Sequence, residues 1–390
     1  MKPNLSSSSV SRPKLRFPCT GRVVAEGFPE FLSAELGPSR HNLSLLATEL
    51  REAIAAPLVT LVNSGSSANL AAAILVKQLC SDRRRVLMSA FSFPTTVASY
   101  TLLGFDVQLV DTEPNGFNID PESLRDEMDR QVAAVVATHF LGFPAQLGRI
   151  ADVARTYGAV LVQDACETMG LQVEGVSLYE FGDLITHSFY HPHHLSSFGG
   201  GAVVAKSPHL YDLVQSIAHW GRSCRCHYEP ERCEAPDGLS HNFWYEREGI
   251  NVEMSELNAC FARWQLRSWP AQEARRWEHW RIWKNALAGL EGVQTWPAPA
   301  GVSPFVFPIG VAPENFAGVT DKILAQGVEV RTLMGGAIHR HPAYHRLAHP
   351  GLKNCEATGA RSFFTGLHQT LETGQVRCAA EQVRRVLEAG

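Results

Sequence analysis

The sequence predicts an α/β protein with a mostly parallel sheet in a large domain and a smaller α+β domain at the C-terminal end. From about residue 40 to 205, short apolar stretches alternate with stretches of helical period. Because the short stretches are apolar on both faces, they indicate a parallel sheet covered by helices. From about residue 301 the strands become shorter and the pattern changes. We therefore expect an N-terminal segment with a flexible leader over 1–35, a large domain over 36–260, and a long helix with a small domain over 261–390.

The elements of the large domain follow from hydrophobic periodicity and turn residues. In chain order, the pattern predicts helix 41–55, strand 59–62, helix 68–79, strand 85–88, helix 95–103, strands 106–111 and 134–139, helix 147–157 and strand 159–164. Residues 224–247 are rich in charge and aromatic rings without periodicity, which predicts a long functional loop.

The C-terminal part begins with a long predicted helix over 255–290 that is rich in tryptophan. Strands follow at 305–310 and 327–331, and helices at 317–326 and 379–388. This mixture is typical of a separate α+β unit.

Composition excludes several classes of protein. The 390 residues carry a formal net charge of −4, which gives no sign of nucleic-acid binding or of a polybasic membrane anchor. No apolar stretch is long enough to span a bilayer, and the first residues lack the apolar run of a signal peptide. Nine scattered cysteines do not indicate a disulfide framework. We expect a soluble, cytoplasmic protein that binds neither nucleic acid nor membrane.

A run of small residues, 63–69, lies between a predicted strand and a predicted helix. Backbone N–H groups and hydroxyls at a helix N-terminus can bind a phosphate. The same residues are also common helix caps, so the run alone leaves both interpretations open.

Two further residues are candidates for binding a flat, nitrogen-containing ring. Asp164 closes an apolar strand, where its carboxylate could pair with a ring nitrogen or simply cap a turn. Phe93 could stack on such a ring or be an ordinary core residue.

Taken in order, these segments resemble the DegT/DnrJ/StrS family of sugar aminotransferases. The stretch 187–201, which reads HSFYHPHHLSSFGGG, resembles the family's active-site segment, and 249–259 resembles its Gly-Tyr-Asn-x-Arg-Met passage. The resemblance runs from about residue 40 to the C-terminus. It implies the fold-type I, aspartate aminotransferase-like architecture of pyridoxal-phosphate (PLP) enzymes, whose large domain binds the cofactor.

His193 stands where that family carries its cofactor-binding lysine. A lysine amine bonds to the cofactor and transfers amino groups. An imidazole can do neither, but it can move protons near neutral pH. No lysine occurs between Gly170 and Gly201, so a true aminotransferase is the least favoured interpretation.

The resemblance also implies a set of cofactor-binding residues. By this likeness Ser66 and Ser188 hold the phosphate, Phe93 stacks on the ring, Asp164 binds its nitrogen, and Asn251 reaches the phosphate from the second subunit of a homodimer. The full implied set is Gly65, Ser66, Ser67, Phe93, Asp164, Glu167, Ser188 and Asn251.

One branch of the family has two adjacent histidines in this loop and uses pyridoxamine phosphate (PMP): the CDP-4-keto-6-deoxyglucose 3-dehydrase type. Its iron–sulfur members resemble the spacing C-x57-C-x1-C-x6-C of Cys166, Cys224, Cys226 and Cys233, with a last gap one residue longer. Four thiolates are the usual ligands of a [2Fe–2S] cluster. A four-thiolate zinc site and inert thiols are the alternatives. Since Asp164 and Cys166 are two residues apart, a cluster there would lie about 6–7 Å from the ring-binding carboxylate.

The resemblance therefore implies a PMP-dependent dehydrase that removes the C3 hydroxyl of a nucleotide-linked 4-keto-6-deoxyhexose. His193 would be the base, and His194 would orient the sugar or protonate the leaving group. The cluster would relay electrons from an NAD(P)H-dependent iron–sulfur flavoprotein reductase or a ferredoxin. A cluster-free dehydratase and an inactive sugar-nucleotide-binding relative are the alternatives.

The sequence departs from the family at three positions. A glutamate is missing before Gly200, Glu253 replaces a basic residue, and Glu167 stands where relatives have Gln or His beside the phenolic oxygen of the cofactor. These departures suggest an unusual substrate.

Overall fold

Two larger sheets organise the described chain, beside a third sheet of only two strands. The computed structural model describes residues 16–389, except 22, 24, 39, 228–231, 234–235, 237, 239, 299–300, 302–303 and 334–335. Residues 1–15, at the start of the predicted N-terminal segment, therefore lie outside the described residues. The strands of the described part are β1 Leu58–Val62, β2 Arg85–Ser89, β3 Asp106–Val110, β4 Val132–Thr138, β5 Val160–Asp164, β6 Gln172–Val173, β7 Val176–Ser177, β8 Leu184–Ser188, β9 Gly201–Ala205, β10 Gln294–Thr295, β11 Val306–Gly310, β12 Val330–Thr332 and β13 Ser362–Gly366.

Helices cover both faces of the larger sheet and one side of the smaller one. They are α1 Phe28–Glu35, α2 His41–Ile54, α3 Gly65–Leu79, α4 Pro94–Thr101, α5 Pro121–Glu127, α6 Leu147–Tyr157, α7 Pro208–Ala218, α8 Glu256–Leu266, α9 Trp269–Ala286, α10 Phe316–Ala325, α11 Lys353–Arg361 and α12 Thr373–Glu388. None of the helices in the described part of the chain combines the length and the apolar character needed to cross a bilayer.

The larger sheet has seven strands in the order β1-β9-β8-β5-β4-β2-β3. Strands β8, β5, β4, β2 and β3 pair in parallel, whereas β9 is antiparallel to both of its neighbours. All seven residues of β4 are buried, as expected for a strand with helices on both faces. The α/β fold class predicted from the sequence is therefore confirmed. The domain limits remain a prediction.

The smaller sheet is antiparallel, in the order β10-β11-β13-β12. Helices α9, α10 and α12 pack beside it, with Trp280, Trp283, Phe307 and Phe363 in the shared core. Pairs of rings such as Trp280 and Phe307, whose centroids lie 4.8 Å apart, join α9 to β11.

The long helix predicted over 255–290 is two helices, α8 and α9. Pro270 lies in the first turn of α9, and its ring leaves no N–H to continue the α8 hydrogen-bond ladder. The sequence analysis was wrong to join them, and the break places α9 against the second sheet.

Candidate active site

A cavity of about 810 Å³ lies beyond the carboxyl ends of β5 and β8, facing the second sheet. In open parallel sheets this edge is where ligands bind. The wall on the side of the larger sheet comes from α3, α4 and the two strand ends, and the opposite wall includes Phe305, Arg331 and Phe364. No lysine is among the described residues that line the cavity.

The N-terminus of α3 forms one end of the cavity. Ser64 caps the helix, because its hydroxyl accepts a hydrogen bond from Ser67 N–H at 3.0 Å. Ser64, Gly65 and Ser66 line the cavity, and Ser66 donates to the Thr95 hydroxyl at 2.8 Å. The Ser67 hydroxyl is turned to Asn63 Oδ1 at 2.5 Å. Ser64, Gly65 and Ser66 thus line the cavity at the positive end of the α3 helix dipole, a position suited to binding an anion.

Gly65 is tightly placed against Ser188. A Cβ atom on Gly65 would lie 2.6 Å from Ser188 Cβ and 3.1 Å from Cys166 Sγ. Ser188 ends β8 and also lines the cavity. The absence of a side chain at 65 therefore preserves a narrow cradle between the two elements.

Asp164 is a buried carboxylate at the floor of the cavity. Its Oδ2 accepts hydrogen bonds from Thr96 Oγ1 at 2.6 Å and Asn69 Nδ2 at 3.1 Å, and its Oδ1 accepts from Cys166 N–H at 3.1 Å. These donors are neutral, so they fix the carboxylate without adding a positive charge. Asn69 and Thr96 were missed in the sequence analysis, because Asn and Thr on helices are ordinary residues until the fold brings them to a carboxylate.

Phe93 is 53% exposed and lines the cavity, just before α4. The core interpretation of this residue is wrong. An exposed ring at a cavity wall is available to cover a flat ligand.

Glu167 lines the cavity near Asp164. Burial raises the pKa of Glu167 to about 8, the Leu141 N–H opposes this rise, and the negative charge of Asp164 adds to it. The side chain is therefore mainly a neutral acid at pH 7, and it can donate a hydrogen bond as Gln or protonated His would.

His193 lines the same cavity on the loop between β8 and β9. Burial lowers the pKa of His193 to about 4, with a hydrogen bond to the Cys166 backbone opposing the shift. Its ring stacks on Phe305, with centroids 5.2 Å apart and planes 17° apart. The imidazole is thus neutral at pH 7, so one of its ring nitrogens can accept a proton.

His194 occupies a different environment. It is 2% exposed and meets the Trp269 ring edge-to-face at a centroid distance of 5.9 Å. It is not among the described residues that line the cavity. Of the two adjacent histidines, the structure places only His193 at the cavity.

Arg276, on α9, fastens the histidine loop to the second sheet. The guanidinium is 1% exposed and donates to the carbonyl oxygens of Pro192 (3.2 Å), His193 (3.3 Å), Pro304 (3.2 Å) and Phe305 (3.0 Å). It also donates to Gln369 Oε1 at 2.8 Å. Nothing in the sequence distinguishes Arg276 from the other arginines of α9.

Asn251 is exposed and lies away from the cavity, paired with His219 in an isolated β-bridge. A role at the cavity of the same chain therefore does not follow from the structure. Its action from a second subunit stays a prediction.

Three of the four predicted metal ligands lie together with a histidine. Cys224, Cys226 and Cys233 lie together with His241, and the four ligand atoms are within 4.8 Å of one another. Cys166 lies instead at the cavity wall, with its sulfur 4.0 Å from Thr186 O. The assignment of Cys166, Cys224, Cys226 and Cys233 to a [2Fe–2S] cluster stays a prediction. His241 was missed because it lies outside the cysteine spacing.

Comparison with solved structures shows the structural class to which this protein belongs. The fold is that of the PLP-dependent aminotransferase-like enzymes. The chain superposes on the E. coli GDP-4-keto-6-deoxy-D-mannose-3-dehydratase with bound hydrated PLP at a TM-score of 0.85 and 20% identity, covering 96% of this chain and all of that one. The aminotransferase PseC of Helicobacter pylori, involved in pseudoaminic acid biosynthesis, matches at a TM-score of 0.85 and 17% identity, with 96% and 100% coverage.

The family follows from the sequence match. Residues 32–384 match the DegT/DnrJ/EryC1/StrS aminotransferase family, and the chain belongs to it. It is 30% identical over 347 residues to the dTDP-4-dehydro-2,6-dideoxy-D-glucose 3-dehydratase of Saccharopolyspora spinosa, covering 83% of this chain and 75% of that protein. The resemblance stated from the sequence is confirmed.

Proposed function

We propose that this protein is an enzyme that uses pyridoxamine phosphate to remove the C3 hydroxyl of a nucleotide-linked 4-keto-6-deoxyhexose. The observation that carries the proposal is the pairing at the cavity of a neutral imidazole, His193, with a buried carboxylate, Asp164, where no lysine is among the described lining residues. The Saccharopolyspora and E. coli relatives, both named as sugar 3-dehydratases, support this choice over an aminotransferase.

The residues at the cavity fit a PLP or PMP molecule. The cradle that a Cβ at Gly65 would fill, together with Ser66 and Ser188, suits the phosphate, and the exposed Phe93 ring suits the flat face. Asp164 would hold the ring nitrogen, and Glu167, as a neutral acid, would donate to the phenolic oxygen. When bound, the cofactor supplies an amine for the sugar ketone and a conjugated ring that accepts electrons.

His193 is the proposed base. Its imidazole would accept the proton that leaves the C4′ carbon of the cofactor, and stacking on Phe305 keeps the ring in one plane. Nδ1 of His193 is buried and has no hydrogen-bond partner among the described residues. A correctly placed base typically contributes about 10²–10⁴-fold in rate. His194 has no such role in this proposal, because it packs against Trp269.

Cys224, Cys226 and Cys233 lie together, and Cys166 lies at the cavity wall. These four thiols would hold a [2Fe–2S] cluster, which would supply single electrons that come from an NAD(P)H-dependent iron–sulfur flavoprotein reductase or a ferredoxin. The second candidate is a cluster-free dehydratase whose cofactor amine is renewed from glutamate.

We propose further that the working unit is a homodimer. The segment from the end of α7 to Asn251 carries three exposed aromatic side chains, Trp220, Phe243 and Tyr245. Phe243 is 71% exposed and Tyr245 is 47% exposed. Large exposed rings on one segment are typical of an interface. Asn251 on this segment would then reach the phosphate in the second subunit.

The test is direct. The protein loaded with pyridoxamine phosphate is incubated with CDP-, dTDP- and GDP-linked 4-keto-6-deoxyhexoses, and loss of the C3 hydroxyl is followed by mass spectrometry. We expect His193→Asn to lower the dehydration rate at least a hundredfold without loss of cofactor binding. His191→Asn, in the same loop but not at the cavity wall, is the matched control.

Three outcomes are distinguished by this assay. Undiminished dehydration in His193→Asn and His193→Lys would show that the base is wrong. Binding of sugar nucleotide without retention of cofactor absorbance would favour the inactive relative. Turnover that depends on added glutamate rather than on a reductant would favour the cluster-free cycle.

A further inference from the structure

The turn that follows β5 carries two residues of the cavity wall. Cys166 and Glu167 both line the cavity. The turn is closed by the Thr168 N–H, which donates to the carbonyl oxygen of Ala165 at 3.1 Å. Residues 165–168, called the β5 turn below, therefore decide where the Cys166 thiol and the Glu167 carboxyl point.

His187 lies on the face of the larger sheet that is turned away from the cavity. It precedes Ser188 in β8, and successive side chains of a strand point to opposite faces, so only Ser188 of the two lines the cavity. His187 is 3% exposed. Its Nε2 atom lies 2.9 Å from the hydroxyl oxygen of Tyr179, which is 2% exposed. Two buried polar side chains thus pair with each other behind the cavity.

The groups around His187 determine where its ring proton lies. Burial lowers the pKa of His187 to about 4, and hydrogen bonds with the backbone of Thr168 and Ala165 oppose this shift. A hydrogen bond that raises the pKa of an imidazole is donated by the ring, so backbone oxygens of the β5 turn accept it. Burial raises the pKa of Tyr179 well above its ordinary value, so its hydroxyl keeps a proton to donate to Nε2. The neutral ring therefore carries its proton on Nδ1, which donates to the β5 turn.

We propose that Tyr179 and His187 are positioning residues: Tyr179 fixes the tautomer of His187, and His187 holds the β5 turn so that Cys166 and Glu167 face the cavity. Neither Tyr179 nor His187 is among the described residues that line the cavity, so the pair acts through the turn rather than on a ligand. The hold on the turn is independent of the reaction, whereas its effect on the rate rests on the function proposed above. A misplacement of about 1 Å can lower a rate about a hundredfold.

A packing role for His187 is the alternative, and two substitutions separate it from a hydrogen-bonding role. Leucine has a similar size but no donor, whereas asparagine is shorter but places an amide N–H near the position of Nδ1. If packing decides, His187→Leu is the milder change. If the donated hydrogen bond decides, His187→Asn is the milder change.

Hydrogen exchange of the full-length protein, followed by mass spectrometry of its peptides, measures how often the β5 turn opens. We expect Tyr179→Phe and His187→Leu to speed exchange of the amides over 165–169 at least about tenfold, and His187→Asn to stay within about threefold of the native rate. Tyr157→Phe is the matched control, since Tyr157 is half-buried against the same core, and it should leave this exchange unchanged. Peptides of β4, which is buried throughout, report whether each variant keeps its fold.

Steady-state kinetics give the functional readout. With PMP and a sugar nucleotide that the protein dehydrates, Tyr179→Phe should lower kcat about tenfold and leave KM within about twofold, because the contacts with the ligand are intact. Unchanged exchange in Tyr179→Phe, milder effects in His187→Leu than in His187→Asn, or faster exchange with a native kcat would each overturn the inference. Absence of dehydration by the native protein would overturn the proposed function instead, and the exchange rates would still decide whether the pair holds the turn.

Discussion

Arg276 donates a hydrogen bond to the carbonyl oxygen of His193 at 3.3 Å, although the two residues are 83 positions apart. The same guanidinium donates to the carbonyl oxygens of Pro304 and Phe305, so one buried cation joins the histidine loop to the segment just before β11. Burial lowers the pKa of Arg276 to about 9, which still leaves it charged at pH 7. The proposed base, His193, is thus held by its backbone as well as by stacking on Phe305.

Arg276→Gln is expected to cost about 3 kcal/mol of folding free energy, because it leaves several buried carbonyls without a donor. Arg276→Lys should recover only part of this loss. An ammonium group cannot donate at once to the histidine loop and to Pro304 and Phe305, as the planar guanidinium does. Urea unfolding measures the loss. The rate of dehydration should fall more than the affinity for the sugar.

The matched control for this change is Arg275→Gln. Arg275 is exposed on the same helix and bonds Thr373 Oγ1 at 3.0 Å. We expect its loss to change the free energy of unfolding by less than about 0.5 kcal/mol. Equal effects at 275 and 276 would contradict the role of the buried contacts.

Glu167→Gln tests the neutral acid at the cavity. With a pKa of about 8 in the folded chain against an ordinary value of 4.5, Glu167 keeps its proton where the unfolded chain has lost it. Folding stability should therefore fall as pH rises from about 4.5 to about 8. Glu167→Gln should remove this decline, measured as unfolding midpoints at pH 5 and pH 8. An unchanged slope in the variant would show that Glu167 is ionised in the fold.

The pH dependence of the reaction rate is a second test of the protonation state of Glu167. In the native protein the rate should decline above about pH 8, as the carboxylic acid loses the proton that it donates. The glutamine variant, which donates at every pH, should lack this alkaline decline.

Gly65→Ala is expected to weaken binding of pyridoxamine phosphate about tenfold or more, because the new methyl group would lie 2.6 Å from Ser188 Cβ. An absorbance titration measures the affinity. Gly318→Ala is the control: Gly318 lies within α10, and a Cβ there meets nothing within 4 Å. That change should leave affinity intact and, by helix propensity, raise stability by up to about 1 kcal/mol.

Thr96→Val removes the 2.6 Å hydrogen bond to Asp164 with little change in shape. A hydrogen bond to a charged group is worth about 1.5–3 kcal/mol, so both the free energy of unfolding and the cofactor affinity should fall by about that amount. Thr101→Val, on the same helix with its hydroxyl 3.5 Å from Ala98 O, should have a much smaller effect. If the two variants behave alike, Thr96 does not hold the carboxylate.

The regular part of the fold was accessible from the sequence because buried parallel strands leave a strong apolar signal. Helix α6 was predicted at its observed limits, whereas β8, which reads Leu-Ile-Thr-His-Ser, was missed because its polar residues hide the strand. The ordered motifs led to Asp164, Ser66 and His193, which all line the cavity.

What the sequence could not supply was long-range geometry. Two adjacent histidines look alike in a sequence, but only one can face the cavity while the other packs on Trp269. Asn42, an ordinary polar residue in the sequence, is buried inside α2 and accepts from Arg263 Nη1 at 2.8 Å. His241 lies beside Cys224, Cys226 and Cys233 because the chain between α7 and α8 folds back on itself.

The way the histidine loop is attached to the sheet has an evolutionary consequence. Ser188 and Gly201, which bracket the loop, face each other in the antiparallel register of β8 and β9. The intervening residues can therefore be exchanged or repacked without shifting either strand. A single scaffold could in this way exchange nitrogen transfer for deoxygenation by substitutions confined to the segment between two fixed strand ends.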